Sequence, residues 1–402
     1  MHPCAYTEYV RSERNVLSMY DNNPGSIKIR NQTYVKHCNI QTVLHILEEH
    51  QPVSRTEMVR LTEMSPTSIT RIINALINLG LIYETNSRPK NSRGRKAINL
   101  CVKQDGIYTM GVFITYDRIR TCIMDYGNHM LYSDVMQLEK RYYDVEELAE
   151  LTRIMYDATP HHVVHDWKCV CAVGVACAGI VDTERGIVVK SEQMGWENVN
   201  LVEVFSRVLN LPVWLENDVK SCLVGEKARR GLSDDTDTAY LMVGTGVGVA
   251  ATVGGKVMRG FNSSSGEIER VPIIDSVDGV TTLHTHLTES SLIARSTAAD
   301  PRMDSVSSIT LNIGQPWAQA ILSDFKKYLR FIIQMVDGIC DPYAIILGGT
   351  VIPQLAPFIK DALPEGRVII GENYEDACVT GAAMVAIRAS IQALISEQIE
   401  IL

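Results

Sequence analysis

A chain of 402 residues is longer than one ordinary hydrophobic core fills, so two or three units are expected. With 46% hydrophobic and 21% charged residues, the composition is that of an ordinary soluble globular protein. The net charge of −9 excludes a protein that coats nucleic acid along its whole length, because phosphate binding draws on clustered Lys and Arg.

That average conceals a segregation. From Asn31 to Leu100 about nine Lys and Arg stand against about five Asp and Glu, so this stretch is roughly +4 and the remainder near −13. One small basic module on a larger acidic body is the pattern to explain. No apolar run reaches the ~18 residues of a bilayer span, and the opening MHPCAYTEYVRSERN lacks the apolar segment of a secretory signal, so a cytoplasmic protein with no membrane partner is expected. Ten cysteines lie scattered in apolar stretches without the spacing of a disulfide framework. Cys169 and Cys171 would share one face of a strand, but no second pair of ligands matches them, and no metal is expected there.

Residues 1–34 have little apolar periodicity, contain DNNPGS, and read as an N-terminal arm. A DNA-binding domain is expected over residues 35–102. It begins with an amphipathic helix carrying Ile40, Val43, Leu44 and Leu47. Ser54 followed by Glu57 has the spacing of a capping box, and Ser65 with Pro66 starts a further helix whose apolar face is Ile69, Ile72, Ile73, Leu76 and Ile77. Gly80 stops it, and the three helices form a helix-turn-helix.

Off the apolar stripe of the last helix lie Ser65, Thr67, Ser68, Thr70, Arg71 and Asn74, where a recognition helix presents polar side chains to base edges. LIYETNSRPKNSRGRKAINLCV then reads as two strands around a basic wing, with Arg93 and Arg95 placed to meet phosphates or a narrow minor groove. From about residue 103 to 402, strands and helices alternate in two α/β halves, an arrangement that leaves a cleft between them.

The order of several weak motifs carries a likeness over most of residues 35–390. They are VSRTEMVRLTEMSPTSITRIINALINLGLI, SRGRKAINL, VGVACAGIVDTERGIV, GWENVNLVEVF, LPVWLENDV, VGTGVGVAATVGGKVMRG, SSGEIERV, DPYAIILGG and VTGAAMVAI. The chain resembles the ROK family, which groups sugar-responsive repressors with sugar kinases. The resemblance implies a winged helix-turn-helix followed by an α/β, actin-like or ribonuclease H-like two-lobed body for effector binding and oligomerisation.

It also implies a sugar pocket, with Asn217 and Asp218 matching the family's Asn-Asp pair and Glu267 its ring-binding Glu. A second Glu falls on Glu289, or one position earlier on Thr288. The family's Asp-x-Gly-Gly-Thr nucleotide turn is here Phe113, Ile114, Thr115, Tyr116 and Asp117, so neither glycine remains to let backbone approach a phosphate. The family's zinc-binding His is replaced by Arg270, and VPIIDSVDGVTTLHTHLTESS has no Cys, so zinc is not expected. The Asn before the family's Trp is missing from SEQMGW. Arg270 either meets an acidic or phosphorylated sugar or salt-bridges Glu267 or Glu269.

These readings predict a non-enzymatic transcriptional regulator, commonly a repressor of carbohydrate genes, without cofactor, metal or catalytic residues. Its partners would be a double-stranded operator, a second copy in a homodimer or dimer of dimers, and a sugar, sugar-phosphate or protein effector. The competing reading is an ATP-dependent sugar kinase with an appended DNA-binding domain.

Overall fold

The computed structural model describes residues 32–85, 98–164, 170–275 and 279–399. Most of the anticipated N-terminal arm and the basic loop at 86–97, with Arg93 and Arg95, lie outside the described residues.

Helix α1 (Gln32–His50) buries Ile40, Val43, Leu44 and Leu47, the stripe its spacing predicts. β1 (Val53–Ser54) leads into α2 (Arg55–Thr62), where Ser54 Oγ accepts from the Glu57 N–H at 3.2 Å. The Glu57 carboxylate turns to Arg60 at 3.8 Å, so only the Ser half of the capping box is in place. Ser65 caps α3 (Pro66–Asn78) in the same way, and α3 buries Ile69, Ile72, Ile73, Ala75 and Leu76. β2 (Ile82–Thr85) and β3 (Asn99–Val102) pair antiparallel from Ile82↔Val102 to Thr85↔Asn99, with β1 on the other edge of β3. The two strands thus pair on either side of the basic segment in the sequence.

The first lobe opens with an antiparallel meander of β4 (Tyr108–Ile114), β5 (Arg118–Asp125) and β6 (Met130–Gln137). α4 (Val145–Ala158) leads to β7 (Val170–Cys177), which runs parallel to β4. A small sheet of β8 (Ile180–Asp182), β9 (Ile187–Ser191) and β10 (Trp196–Val199) follows. α5 (Leu201–Leu209) and β11 (Val213–Asn217) complete a main sheet of order β11-β7-β4-β5-β6.

α6 (Asp218–Arg229) leads to a second five-stranded sheet. Its strands are β12 (Thr238–Val243), β13 (Val247–Val253), β14 (Lys256–Val257) and, after an excursion, β17 and β18. That excursion holds the hairpin β15 (Pro272–Asp275) and β16 (Gly279–Thr282), then α7 (Leu283–Leu287), α8 (Glu289–Ala299), α9 (Ser307–Leu311) and α10 (Pro316–Cys340). β17 (Ala344–Gly348) and β18 (Val368–Ile370) flank α11 (Ile352–Ile359) and extend the sheet in parallel. The two-lobed α/β body anticipated from the resemblance is present.

The last helix, α12 (Tyr374–Ile399), packs against α6, β4 and β7. Over Tyr374–Ser396 it is long and apolar enough by length and composition to cross a bilayer, although Glu375, Asp376 and Arg388 interrupt the apolar run. Its apolarity belongs to the core. A Cβ on Gly225 of α6 would lie 1.9 Å from the Ala377 carbonyl oxygen, and one on Gly381 would lie 1.8 Å from that of Ser221. The two helices thus approach closely enough that only glycine fits at those positions. Ile387, Ile391 and Ile395 of α12 share a buried cluster with Leu44, Leu47, Leu100 and Val102 of the N-terminal domain. Tyr126 Oη adds a hydrogen bond to Glu48 at 2.8 Å across that junction. The basic module and the body therefore share one continuous core.

Candidate functional site

On α3, all six side chains singled out from the sequence, Ser65, Thr67, Ser68, Thr70, Arg71 and Asn74, are exposed on one side while the isoleucines face inward. Four of them are already partly engaged: Ser65 Oγ accepts from the Ser68 N–H at 3.1 Å and lies 2.9 Å from Ser68 Oγ. Thr70 Oγ1 donates to the Pro66 carbonyl at 2.8 Å, and Asn74 Oδ1 accepts from Arg55 at 3.0 Å, while Arg55 also holds Glu84 of β2. Asn74 is thus fixed in orientation with its NH₂ turned away from Arg55, available to an acceptor such as a base edge.

In the body, β11 runs straight into α6, and this junction gathers Glu216, Asn217, Asp218 and Lys220, each under 4% exposed except Asp218 at 4%. Asn217 caps α6 by accepting from the Lys220 N–H at 3.0 Å, and its Nδ2 donates to Asp218 Oδ1 at 2.8 Å and to the Gly179 carbonyl at 3.0 Å. Burial, with a smaller push from Glu267, drives the Asp218 carboxyl up to about 7. Desolvation also raises Glu267, against the pull of Lys220, and lowers Lys220, against the pull of Glu216 and Glu267. Asn217, Asp218 and Glu267 are thereby brought together, as the resemblance implies.

Arg270 and Glu289 fall elsewhere. Arg270 reaches neither Glu267 nor Glu269. Its Nη2 donates to both carboxylate oxygens of Glu192 at 2.7 Å, and the two departures from the family pattern, Arg270 and SEQMGW, thus meet each other across the lobes. Gln193 beside it donates to Thr245 Oγ1 at 3.0 Å, a second bond across the lobes. Glu289, the first residue of α8, accepts from Thr350 Oγ1 at 2.7 Å, while Thr288 is the buried cap of that helix.

Glu289 lines a cavity of about 220 Å³ with Tyr116, Asp117, Gly244, Thr245 and Glu375, where the resemblance would put nucleotide phosphates. The residues do not fit a nucleotide. Thr115, at a former glycine position, closes a tight turn by accepting from Arg118 N–H and donating to Asp117. Phe113 is buried edge-on against Tyr374 at 5.5 Å between ring centres. In the glycine loop, Gly244 N–H donates to the Gly246 carbonyl at 2.9 Å and Val247 N–H to the Glu269 carboxylate at 3.3 Å. Those amides already have acceptors, and the carboxylates of Asp117, Glu289 and Glu375 face the space that polyphosphate would need.

Zinc does not fit either. His284 Nδ1 lies 2.6 Å from Glu269, and buried His286 lies 2.8 Å from Asp324 and 3.1 Å from Thr281, stacked on Tyr328. Both imidazoles are committed to side chains of this chain. Sequence reasoning missed Lys220 and the Arg259–Glu216 pair, bonded at 2.8 and 2.6 Å. A signal existed for Lys220, a cation in DVKSCLVGEK, whose ten residues are all buried.

A helix-turn-helix domain fused to a two-lobed, actin-like body with a buried carboxylate at the strand-to-helix junction defines the class. The ROK family model matches residues 111–365, and the chain belongs to the ROK family. It is 24% identical over 246 residues to the xylose repressor of Caldicellulosiruptor bescii, covering 60% of each chain, so it spans about 60% of that relative's length. It is 22% identical over 368 residues to the DNA-binding transcriptional repressor Mlc of Escherichia coli, covering 85% of this chain and 88% of that one. The crystal structure of a ROK family transcriptional regulator, a homolog of the E. coli MLC protein, matches with a TM-score of 0.74 at 20% identity, covering 91% of this chain and 99% of that one. The ROK hexokinase of Thermus thermophilus matches the same fold with a TM-score of 0.58 at 20% identity, covering 71% and 99%.

Proposed function

We propose that this chain is a cytoplasmic, sequence-specific DNA-binding repressor whose kinase-like body binds a sugar-class effector and does not transfer phosphate. The observation that carries the reading is the solvent face of α3. Its polar residues are exposed on one side of the helix, and the basic residues 86–97 follow in the sequence. The repressor relatives support the same reading, and the self-bonded glycine loop argues against the kinase alternative. One such helix offers few base contacts, so two copies would read a near-palindromic operator. Because the DNA-binding domain shares its core with α12, and α12 packs against α6, a ligand that shifts the lobes has a continuous path to the reading heads.

The test is fluorescence anisotropy of the full chain on a duplex selected from a random pool. Arg71→Ala is expected to weaken binding about 10- to 100-fold. Changing Arg93 and Arg95 together to Ala is expected to lower the slope of log affinity against log salt by about 2. Binding and slope unchanged in both variants would remove α3 and the 86–97 segment as the DNA-contacting surface, and failure to select any duplex would remove DNA from the account.

A further inference from the structure

Lys220 is 3% exposed, and its ammonium has three hydrogens to donate. Among the described residues its one hydrogen bond runs to the Ser263 carbonyl at 3.3 Å, long for a charged donor. A buried cation with unfilled donors signals an absent acceptor. A second observation comes from Ser191, linked to Asp218 through Cys177. Ser191 is 1% exposed, and its hydroxyl has no hydrogen-bond acceptor or donor beyond the weak thiol of Cys177, which itself lies in the field of Asp218. Lys220, which Asp218 acts on electrostatically, and Ser191, one thiol removed from it, are thus both buried with bonding capacity to spare.

The surrounding charges decide the class of ligand. Arg259 is spent on Glu216 and Arg270 on Glu192, each with both oxygens engaged. His284 is spent on Glu269. What remains is one ammonium on which Glu216, already held by Arg259, then Glu267 and Asp218 act electrostatically. A phosphate or carboxylate entering here would face two acids for one unspent cation. An uncharged polyol can donate to both acids and accept from the ammonium.

We propose that Lys220 is the specificity-determining residue of this site, donating to an oxygen of an uncharged sugar whose hydroxyls donate to Asp218 and Glu267. This rests on the reading of the body as sugar-binding. It makes the Ser263 carbonyl the stand-in partner of the ligand-free state. The loop that carries Ser263 runs from Arg259 to Glu267 and holds Gly260, Ser263 and Gly266 at positive φ, so it lies folded back over the ammonium.

The test is a thermal-shift and titration panel on the full-length protein with D-xylose, D-glucose and N-acetyl-D-glucosamine against glucose 6-phosphate and D-gluconate. An uncharged sugar is expected to raise the melting temperature and the two anions to leave it unmoved. Lys220→Met, which keeps the apolar stem, is expected to weaken that sugar at least 100-fold while leaving the ligand-free protein folded. Should that variant not fold, deoxy and deoxyfluoro analogues on the unchanged protein carry the test. At the position that accepts from Lys220, fluorine should retain binding that hydrogen loses, since fluorine accepts but cannot donate. Equal affinity in Lys220→Met, or a sugar whose every hydroxyl behaves as a donor, overturns the role of Lys220 alone. Preference for an anion overturns the ligand class. Silence across the panel overturns the sugar reading with it, and DNA binding measured on the same preparation stands or falls separately.

Discussion

The Asp218 junction and the glycine-loop cavity lie in the same body, yet they treat polar groups in opposite ways. In the cavity the Gly244 and Val247 amides, Thr115 and Thr350 have partners within the chain, three of the four with a carboxylate acceptor. At the junction, Lys220 and Ser191 are buried with bonding capacity unused. A site that has turned on itself gains hydrogen bonds and loses its ligand. A site that keeps buried groups unpaired is held at a cost of stability, and the proposed sugar would relieve that cost.

The largest expected effect tests that cost directly. The folded-state pKa of Asp218 is raised to about 7 by burial, above the ~3.9 of an unfolded chain, so the native state holds this proton longer. Its contribution to stability is therefore intact below about pH 4 and is lost as pH rises to about 7, a total on the order of 4 kcal/mol. Glu267, Lys220, Cys177, Tyr374 and Cys378 face the same carboxyl or act on it and titrate in its field. Comparing Asp218→Asn with the parent chain isolates the one group. Chemical denaturation at pH 5 and pH 8 should show the variant gaining on the parent at the higher pH. Parallel curves would mean that Asp218 is as comfortable as any residue in the cavity, and the contrast between the sites would collapse.

A smaller effect is expected in the cavity. Glu269→Ala removes the acceptor of Val247 N–H and of His284, so it should cost about 1 to 2 kcal/mol in denaturant unfolding. It should gain no thermal shift with ATP and magnesium, because the Thr115 turn and the buried Phe113 remain. An ATP shift in this variant would show that Glu269 alone keeps the nucleotide out.

Much of this was legible in the residues. The apolar spacings of Ile40 to Leu47 and Ile69 to Leu76 located α1 and α3 with their faces, because helix periodicity survives any tertiary context that buries one side. The loss of the nucleotide turn was visible in Phe113 to Asp117, since a side chain replacing glycine is a local fact. Partners across the fold were not visible. Arg270 was free to meet a ligand, Glu267 or Glu269, and it meets Glu192, which lies 78 positions away and is brought to it only by the tertiary fold. Glu289 matched a sugar ligand by order alone, but α8 delivers it to the glycine loop, where its N–H donates to the Gly244 carbonyl at 2.8 Å. Lys220 escaped notice because a lysine in a helix is ordinarily solvated, and only the packing of α6 beneath α12 and β12 makes it buried.

The smallest effect sharpens the contrast most. The Arg270–Glu192 pair crosses the lobes but is largely solvent-exposed, so Arg270→Ala should change unfolding free energy by no more than about 1 kcal/mol. If the pair only bridges the lobes, its removal leaves the donor and acceptor set at Asp218 intact. Sugar affinity should then move no more than about threefold, and the difference between parent and variant should shrink as salt is raised, because exposed charges are screened. Loss of binding as complete as that expected for Lys220→Met would instead make Arg270 part of the ligand shell, and would return the acidic sugar to consideration.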